Sequence, residues 1–311
     1  MKIGIIGLGD IAQKAYLPHV TQLPGIEWIL CTRSQHVLGE LCKQYRINQA
    51  CNDYRQLLSL GVDAVMIHAA TSVHATIAKF FLEQGIPTFI DKPLADNIAD
   101  VEMLYETAIK NNVPLYVGFN RRHIPLYNQY IPELKGNDIG ELRSLHWEKN
   151  RYDLTGDIRT FIFDDFIHPL DSVNLNAQSM LDGLHISHQM AGDKLASIGV
   201  QWQVGDTLLH ANMNRQFGIT RERVSACYQN KAYEFYSFVS GTCWKENQAM
   251  SISLKDWTPM LESKGFHHMM ADWIEVVKSG RIKTNIIERN IASHRLADAL
   301  CEHIAQQVSR K

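Results

Sequence analysis

Residues 2–12 of the chain read KIGIIGLGDIA, and this stretch decides the fold of the first half. Its apolar start predicts a short buried strand, and the residues after it are compatible with a helix. Between them lies the pattern GxGxxA, in which Gly7 permits a tight turn, Gly9 lets the backbone approach a pyrophosphate and Ala12 allows close helix packing. The helix amides at such a turn face the phosphates. We therefore predict a dinucleotide site whose cofactor-binding residues include Gly7, Gly9, Asp10, Ile11 and Ala12.

Strand and helix signals alternate through the first 120 residues. The further apolar strand segments are 27–31, 64–68, 88–90 and 115–117. Helices are predicted between them, and Asp96 or Asn97 could cap the one that runs to Lys110. Repeated strand–helix units indicate a parallel, doubly wound sheet. Residues 1–120 are thus predicted to form an NAD(P)-binding Rossmann domain of the α/β class.

Length and hydropathy indicate the number of domains and whether the chain could enter a membrane. A chain of 311 residues favours two domains. Its hydrophobic fraction of 45% can supply full cores, and no apolar run approaches the ~20 residues that span a bilayer. Met1 leads straight into residues 2–9, which are predicted as a buried strand and turn and do not resemble a secretion signal. We expect no membrane anchor and a cytoplasmic location.

Charge and cysteine content indicate which ligands and partners the chain could bind. The 31 basic and 33 acidic side chains give a net charge of -2, without a basic block that could neutralise a row of phosphates. We therefore expect a small-molecule substrate and no nucleic acid. The six cysteines are scattered without CxxC spacing, which indicates reduced thiols. No metal is predicted, because carboxylate or cysteine companions are missing beside the histidine pairs His185/His188 and His267/His268.

The residues after the second strand bear on the choice of cofactor. Thr32-Arg33-Ser34 stands where a chain that binds NAD usually has a carboxylate for the ribose 2′-hydroxyl, and no acid follows until Glu40. Arg33 could instead pair with a 2′-phosphate, and the hydroxyls of Thr32 and Ser34 could add hydrogen bonds. NADP(H) is therefore favoured. NAD(H) is the alternative if Arg33 only stacks on adenine or faces solvent.

The run Asp91-Lys92-Pro93-Leu94 follows the strand at 88–90. In a dinucleotide-binding sheet, ligands bind beyond the carboxyl ends of the strands. An ammonium group placed there could stabilise negative charge on a substrate oxygen as hydride moves, although a surface Lys-Pro turn is the alternative. The cofactor-binding residues predicted at the same edge are Thr71, His74, Asp91, Lys92 and Asn120.

After residues 118–122 the periodicity changes. The strand-like segments, partly alternating and rich in aromatic residues, are 142–147, 208–213, 224–228, 233–240 and 250–254. Helices are confined to the segment after Asp165, to 267–278 and to about 287–308. This grouping predicts an antiparallel sheet with helices on one side. Residues 121–311 are thus expected to form a second, α+β domain.

Asp164 and His168 are the second candidate pair. They are four positions apart, so on a helix they share one face and the carboxylate could orient the imidazole. Pro169 complicates this, because the residue before a proline is biased away from helical angles and proline fits best in a first turn. If the helix begins near His168, Asp164 lies in the preceding loop and Asp165 could be the partner instead. A structural histidine is the alternative to a general acid or base.

Together these segments resemble the Gfo/Idh/MocA family, which includes glucose-fructose oxidoreductase, inositol dehydrogenase and MocA. The matching segments are GLGDIA (7–12), TSVH (71–74), DKPLA (91–95), GFNRR (118–122) and DDFIH (164–168), with Asp171 beyond. Within the family the chain is most similar to the oxidoreductases labelled MviM, because Asp-Lys-Pro replaces the commoner Glu-Lys-Pro.

The resemblance implies a Rossmann domain followed by a domain with a large, mostly antiparallel sheet, whose open face makes homodimers or higher homo-oligomers. It implies that Lys92 lies by the nicotinamide and the reacting carbon, on a Lys-Pro peptide that is often cis. It also favours His168 as a general acid or base held by Asp164. The catalytic residues are then Lys92, His168 and Asp164, and the substrate-binding residues are Lys92, Arg121, Arg122, Asp165 and His168.

We predict from this an oxidoreductase, favouring NADP, that transfers a hydride between nicotinamide and a secondary alcohol or ketone such as a sugar or cyclitol. Arg121, Arg122 and Arg151 could hold an acidic or phosphorylated substrate, although any one of them could be a surface arginine. Two alternatives are a non-catalytic NADP-binding regulatory or scaffold protein and an NAD-dependent enzyme that cleaves glycosides.

Overall fold

A computed structural model describes residues 1–136 and 138–310, which divide into two compact units. The N-terminal unit contains Met1–Phe119 and Phe266–Lys283, and the C-terminal unit contains Asn120–Gly265 and Thr284–Lys311. The main division falls where the sequence changes its periodicity. The segment Phe266–Lys283 differs from the sequence-based boundaries, 1–120 and 121–311, which assigned it to the second domain.

Aromatic packing explains why this late segment belongs to the N-terminal unit. The ring of Trp273 is buried, with its centroid 5.8 Å from that of Phe89 and 5.7 Å from that of Tyr116. The Tyr116 hydroxyl also donates a hydrogen bond of 2.8 Å to Asp272. Tyr116 and Asp272 are 156 residues apart in the sequence. Local periodicity therefore carries no signal for the contact.

Six parallel strands form the sheet of the N-terminal unit. They are β1 (Lys2–Ile6), β2 (Glu27–Cys31), β3 (Gln49–Cys51), β4 (Ala64–Ile67), β5 (Thr88–Asp91) and β6 (Leu115–Gly118). Their order is β3-β2-β1-β4-β5-β6, the doubly wound order of a dinucleotide-binding fold. The predicted Rossmann domain is confirmed, and only the short β3 was missing from the prediction.

The α-helices are α1 (Leu17–Val20), α2 (Gln35–Tyr45), α3 (Gln56–Ser59), α4 (Thr71–Glu83), α5 (Ile98–Lys110), α6 (Pro125–Tyr130), α7 (Glu133–Gly136), α8 (Ile158–Thr160), α9 (Ile167–Val173), α10 (Met260–Ser263), α11 (Phe266–Ser279) and α12 (Thr284–Ser309). Ala12–Tyr16 and Phe161–Phe166 are π-helical. Asn97 caps α5, since its Oδ1 accepts the Asp100 amide at 2.9 Å.

None of the helices in the described residues is long and apolar enough to cross a bilayer. The cytoplasmic location stays a prediction.

An eight-stranded sheet forms the centre of the C-terminal unit. Its strands are β7 (Ser144–Asn150), β8 (His185–Ala191), β9 (Lys194–Val204), β10 (Thr207–Asn214), β11 (Arg221–Tyr228), β12 (Lys231–Phe235), β13 (Ser240–Lys245) and β14 (Gln248–Ser253). Their order is β14-β13-β12-β11-β7-β10-β9-β8. Neighbours are antiparallel except β7 and β10, which are parallel. The predicted mostly antiparallel sheet is confirmed.

Two details of this sheet differ from the sequence prediction. Strands β8 and β9 were missed, and the segment 233–240 is not one strand but the end of β12, a bend and the start of β13. The bend forms because the Ser237 hydroxyl accepts the backbone N–H groups of Val239 and Ser240 at 3.3 and 3.2 Å. A serine that bonds to its own backbone two and three residues on favours a turn over a ladder.

The two faces of the sheet differ in character. Helix α9 packs against β7 and β10 on one face. On the other face the side chains are polar and partly exposed, among them His146, Glu148 and His210. Assembly into homo-oligomers through this open face stays a prediction.

A buried ion network lies inside the C-terminal unit. Arg122 donates from Nε and Nη2 to the two carboxylate oxygens of Asp171 at 2.9 and 2.6 Å, and the Ser293 hydroxyl donates to the same carboxylate at 2.8 Å. Burial alone would raise the pKa of Asp171, but Arg122 and Arg289 outweigh burial and lower it. The fork of Arg122 that was predicted to bind substrate is therefore directed at Asp171.

We expect Arg122→Gln to lower the free energy of unfolding by about 3–5 kcal/mol, because it leaves the buried carboxylate of Asp171 without its main partner. Urea unfolding followed by circular dichroism measures the change. The control is Arg143→Gln, which removes an exposed arginine paired with Asp206 at 3.0 Å and is expected to cost about 1 kcal/mol or less. Equal stability of the two variants would contradict a structural role for Arg122.

Candidate active site

Gly7 lies where the end of β1 comes close to the residues after β4. Its φ angle is +86°, and a Cβ atom there would lie 2.5 Å from the Ala69 nitrogen and 2.6 Å from its Cα. Only glycine fits such a backbone approach. The Gly7 amide donates to the Cys31 carbonyl at 3.0 Å. The turn is thus tied to the ends of two neighbouring strands.

Gly9 has a different environment. No described atom outside the adjoining residues lies within 4 Å of the position that a Cβ would take, and its φ is not in the left-handed region. Neither packing nor backbone conformation requires glycine there, and the space matches the approach that a pyrophosphate needs. The helix that follows begins at Asp10, so its first amides lack acceptors within the helix and are available to phosphate oxygens. The turn therefore fits a dinucleotide cofactor.

The remaining residues of the turn divide between surface and core. Ala12 is fully buried, which agrees with its predicted role in helix packing. Ile11 is 40% exposed and offers apolar surface beside the turn. The exposed carboxylate of Asp10 pairs with Lys14 at 2.6 Å.

The segment after β2 carries the residues predicted to select the cofactor. Ser34 caps α2, because its Oγ accepts the Val37 amide at 3.4 Å, and its hydroxyl hydrogen is still available to a ligand. Arg33 is exposed and has no hydrogen bond or ion pair with the described residues. Thr32 is partly buried, and its amide donates to the Cys51 carbonyl at 3.3 Å. The charge of Arg33 is thus available to an anionic group.

Lys92 is held by its neighbours at the end of β5. The Asp91 carboxylate accepts the backbone N–H of Lys92 and the hydroxyl of Tyr16, the latter at 2.6 Å. Burial raises the pKa of Asp91, although both hydrogen bonds oppose the rise. The Lys92–Pro93 peptide is cis, as the family resemblance implies. The sequence offered no signal for Tyr16, which is buried and holds Asp91 from the helix that follows the glycine turn.

His74 links the residues that follow β4 and β5. It is 2% exposed, with Nε2 at 2.9 Å from the Ala69 carbonyl and Nδ1 at 3.0 Å from the Pro93 carbonyl. Both oxygens belong to backbone carbonyls, so a hydrogen-bond acceptor lies beside each ring nitrogen. With both nitrogens engaged, His74 positions the Lys92–Pro93 segment. Thr71 begins the same helix, α4.

In the C-terminal unit, Asp164, Asp165 and His168 lie on one continuous helix that runs from residue 158 to 173. The helix does not begin near His168. The π-helical stretch before Pro169 explains why, since the Ile167 amide bonds to Ile162, five residues back, and the helix tolerates a proline that has no N–H to give. Asp164 is exposed, whereas Asp165 and His168 are buried. A bond between Asp164 and His168 stays a prediction.

Asp165 is surrounded by cations. It accepts two hydrogen bonds from Arg151 at 2.9 and 3.0 Å, and forms ion pairs with Arg215 at 3.1 Å and with Lys149. Burial would raise the pKa of Asp165, but Lys149 and Arg151 outweigh burial and hold it far below its usual value. Asp165 is therefore a permanent carboxylate.

Arg121 connects Glu222 to His168. Its Nη2 lies 3.0 Å from a carboxylate oxygen of Glu222, while its Nη1 lies 3.4 Å from Nδ1 and 3.3 Å from Nε2 of His168. A nitrogen that close to both ring nitrogens lies over the face of the imidazole, because a position in the ring plane would clash with a ring carbon. Asn120, predicted to bind the cofactor, donates to the Lys264 carbonyl at 2.8 Å and accepts from Arg121 at 3.1 Å.

The model described as an oxidoreductase family with an NAD-binding Rossmann fold, GFO_IDH_MocA, matches residues 1–119. The Salmonella typhimurium protein YceM, which bears an oxidoreductase name, is 30% identical over 96% of this chain and 97% of its own length. The chain belongs to the Gfo/Idh/MocA family.

Solved structures of this family are similar to the chain over nearly its full length. A Gfo/Idh/MocA oxidoreductase from Vibrio cholerae is 61% identical, with a TM-score of 0.98 and 99% of each chain covered. The dehydrogenase MviM from Clostridium difficile is 26% identical, with a TM-score of 0.87 and the same coverage. The myo-inositol 2-dehydrogenase of Thermotoga maritima matches a shorter region, 28% identical over 45% of this chain and 42% of that protein. Family membership and likeness to MviM are thus confirmed, and the chain is an oxidoreductase of a family that acts on CH–OH groups.

For this family member, no group of three or more His, Cys, Asp or Glu side chains in the described ranges could hold a metal ion. His267 stacks on His19 instead, with ring centroids 3.7 Å apart. Burial, followed by the neighbouring His267, lowers the pKa of His19 to about 4. The His19 ring therefore packs against His267 as a neutral group at neutral pH.

Gly7 and Gly9 make a matched pair for testing the cofactor turn of this family member. Gly7→Ala is expected to destabilise the protein, since its Cβ would contact the Ala69 backbone, whereas Gly9→Ala is expected to leave thermal stability unchanged and weaken binding of NADPH at least tenfold. Thermal unfolding and fluorescence titration with NADPH measure the two effects. Full cofactor affinity in Gly9→Ala would contradict the predicted phosphate approach.

Proposed function

We propose that the protein is an NADP-dependent dehydrogenase or reductase that interconverts a secondary alcohol and a ketone on a small polyhydroxylated molecule, such as a sugar or cyclitol. The observation that carries this proposal is the anchored position of Lys92 at the end of β5, between the Tyr16–Asp91 hydrogen bond and the His74 bridge. A relative named myo-inositol 2-dehydrogenase supports a cyclitol or a similar polyol as the substrate class.

The chemistry is divided between two side chains of the protein. When bound, the nicotinamide cofactor accepts or supplies the hydride at the reacting carbon. The ammonium group of Lys92 positions the substrate oxygen and stabilises the negative charge that develops on it. His168 takes the hydroxyl proton during oxidation and returns it during reduction. Arg121, whose Nη1 lies over the imidazole face, holds the ring in place, and Asp164 is proposed as a further positioning residue.

Replacement of Lys92 tests the proposed reaction. Lys92→Ala is expected to bind NADPH normally and to lose about 10²–10³-fold in kcat, because one preorganised electrostatic contact to the developing oxyanion is removed. Steady-state assays over a panel of polyols and their ketones, with cofactor absorbance as the signal, measure the loss. The control Lys79→Ala removes an exposed lysine of helix α4 that pairs with Glu83 at 3.9 Å.

The outcomes also separate the other candidate functions. Equal turnover in Lys92→Ala and the unaltered protein would refute the role of Lys92. NADPH binding without redox change across the whole panel would favour a regulatory protein. Release of a sugar from a glycoside without net change in cofactor would favour the glycoside-cleaving alternative.

The preference for NADP rests on Arg33, whose exposed guanidinium has no partner in the described parts of the chain. Arg33→Ala is expected to weaken NADPH binding about 10–100-fold, the range for a lost charge-assisted hydrogen bond, and to leave NADH binding unchanged. Fluorescence titration with both cofactors measures this. Lys43→Ala, which removes an exposed charge from helix α2, is the control. An equal loss for both cofactors would assign Arg33 to the adenine ring instead.

A further inference from the structure

The parallel pair β7 and β10 brings two arginines together in the C-terminal unit. Parallel strands end at the same edge of a sheet, and here Arg151 directly follows β7 while Arg215 directly follows β10. The Arg151 amide donates to the carbonyl of Asn214 at 2.9 Å, so the two backbones run side by side at this edge. Both guanidinium groups then reach the same carboxylate, that of Asp165.

A second pair of charges lies on the neighbouring strands. Lys149, next to the end of β7, is directly opposite Glu222 of β11. Glu222 accepts hydrogen bonds from Arg121 at 3.0 and 3.3 Å and from the Trp147 indole at 2.7 Å. These side chains make one cluster, called the basic cluster below, which consists of Arg121, Lys149, Arg151, Arg215, Asp165 and Glu222.

The basic cluster contains three arginines, one lysine and two carboxylates, so its basic groups outnumber its carboxylates. Such an excess is costly away from water, because ions without counterions retain most of their desolvation penalty. Burial, then Arg121, lowers the pKa of Lys149 well below its usual value. Nε of Arg215 is buried without a hydrogen-bond partner in the described residues. The two carboxylates of the cluster therefore leave at least one of its buried donors unsatisfied.

The basic side chains of the cluster differ in their exposure to solvent. The side chains of Lys149 and Arg215 are only 4% and 6% exposed, whereas those of Arg121 and Arg151 are 15% and 33% exposed. The buried pair forms the back of the cluster, and the exposed pair forms its accessible rim. Since Nη1 of Arg121 also contacts the His168 ring, an anion bound at the rim would lie next to the proposed acid–base group.

We propose that the basic cluster binds an oxyanion group of the substrate, a carboxylate or a phosphate, through Arg121 and Arg151. Lys149 and Arg215 are positioning residues that hold Asp165 and supply positive charge behind the rim. Arginine suits this role because its planar fork bonds carboxylate and phosphate in a bidentate manner. The inference rests on the proposed function for the redox step and narrows its substrate to acidic or phosphorylated polyols.

Binding measurements on the unaltered protein test the proposal without any turnover. Calorimetric titration of the NADPH-loaded protein, and of the protein alone, would compare glucose, glucuronate, glucose 6-phosphate and inorganic phosphate. At least one anionic probe is expected to bind tenfold or more tightly than glucose, with affinity that falls as salt is raised. Glucuronate against the two phosphates distinguishes a carboxylate from a phosphate. Anionic probes that bind no better than glucose would overturn the proposal.

Variants then assign the binding to the rim. Arg151→Gln is expected to lose tenfold or more in affinity for the preferred anion and to keep its NADPH affinity, and Arg151→Lys is expected to be intermediate because it keeps the charge and loses the fork. Arg143→Gln, an exposed arginine of the same unit, is the control and should match the unaltered protein. Circular dichroism checks folding. Unchanged anion affinity in Arg151→Gln would overturn the assignment, whereas a loss of turnover in the Lys92 experiment bears only on the redox step.

Discussion

The close approach of the backbone at Gly7 to that at Ala69 is the constraint on which the N-terminal unit depends. A Cβ atom at position 7 would lie 2.5 Å from a backbone nitrogen, so the turn exists only with glycine. The helix that leaves this turn carries Tyr16, and the Tyr16 hydroxyl bonds to Asp91, the residue before Lys92. The path of the chain at one glycine thus fixes where the lysine of another strand is held.

The same principle of strand ends operates in both units. In the N-terminal unit all strands are parallel, and Gly7, Arg33 and Lys92 all follow the carboxyl ends of strands. Among the described strands of the C-terminal unit, only β7 and β10 pair in parallel, and the basic cluster lies where they end. Antiparallel neighbours place their carboxyl ends at opposite edges of a sheet. The parallel pair β7 and β10 therefore allows the residues that follow these strands, Arg151 and Arg215, to converge on Asp165.

The sequence predicts the parts of the molecule that depend on local signals. The glycine turn, the strand–helix alternation and the Asp-Lys-Pro run are each contained in a few residues, and the Rossmann sheet followed from them. Tyr16 was not predicted, because its partner Asp91 is 75 residues away and a tyrosine on a helix carries no mark of that contact. Strand β9 was missed because Ser197 and Gly199 weaken its alternation.

The basic cluster was predicted only in pieces. Arg121, Arg151 and Asp165 were identified singly as candidates, whereas Lys149, Arg215 and Glu222 were not. One signal was present in the sequence. Lys149 follows Leu145 and Trp147 at alternate positions of β7, so a charged side chain stands where the strand pattern requires a buried one. A buried lysine needs a partner, but the pattern alone cannot say that the partner is Asp165 on a helix.

Comparison of the two ion networks in the C-terminal unit shows why charge excess by itself does not make a site. Arg122 and Arg289 also both pair with the single carboxylate of Asp171, yet all three side chains are nearly inaccessible, at 7%, 1% and 1% exposure. Arg289 directs Nη2 to the backbone carbonyls of Asp171 and Ser172, so internal oxygens absorb part of its charge. Buried ion pairs contribute little stability compared with apolar residues of similar size. The closed network fixes the helix that carries Asp165 and His168, whereas the basic cluster, with a third of Arg151 exposed, keeps its excess charge where a ligand can reach it.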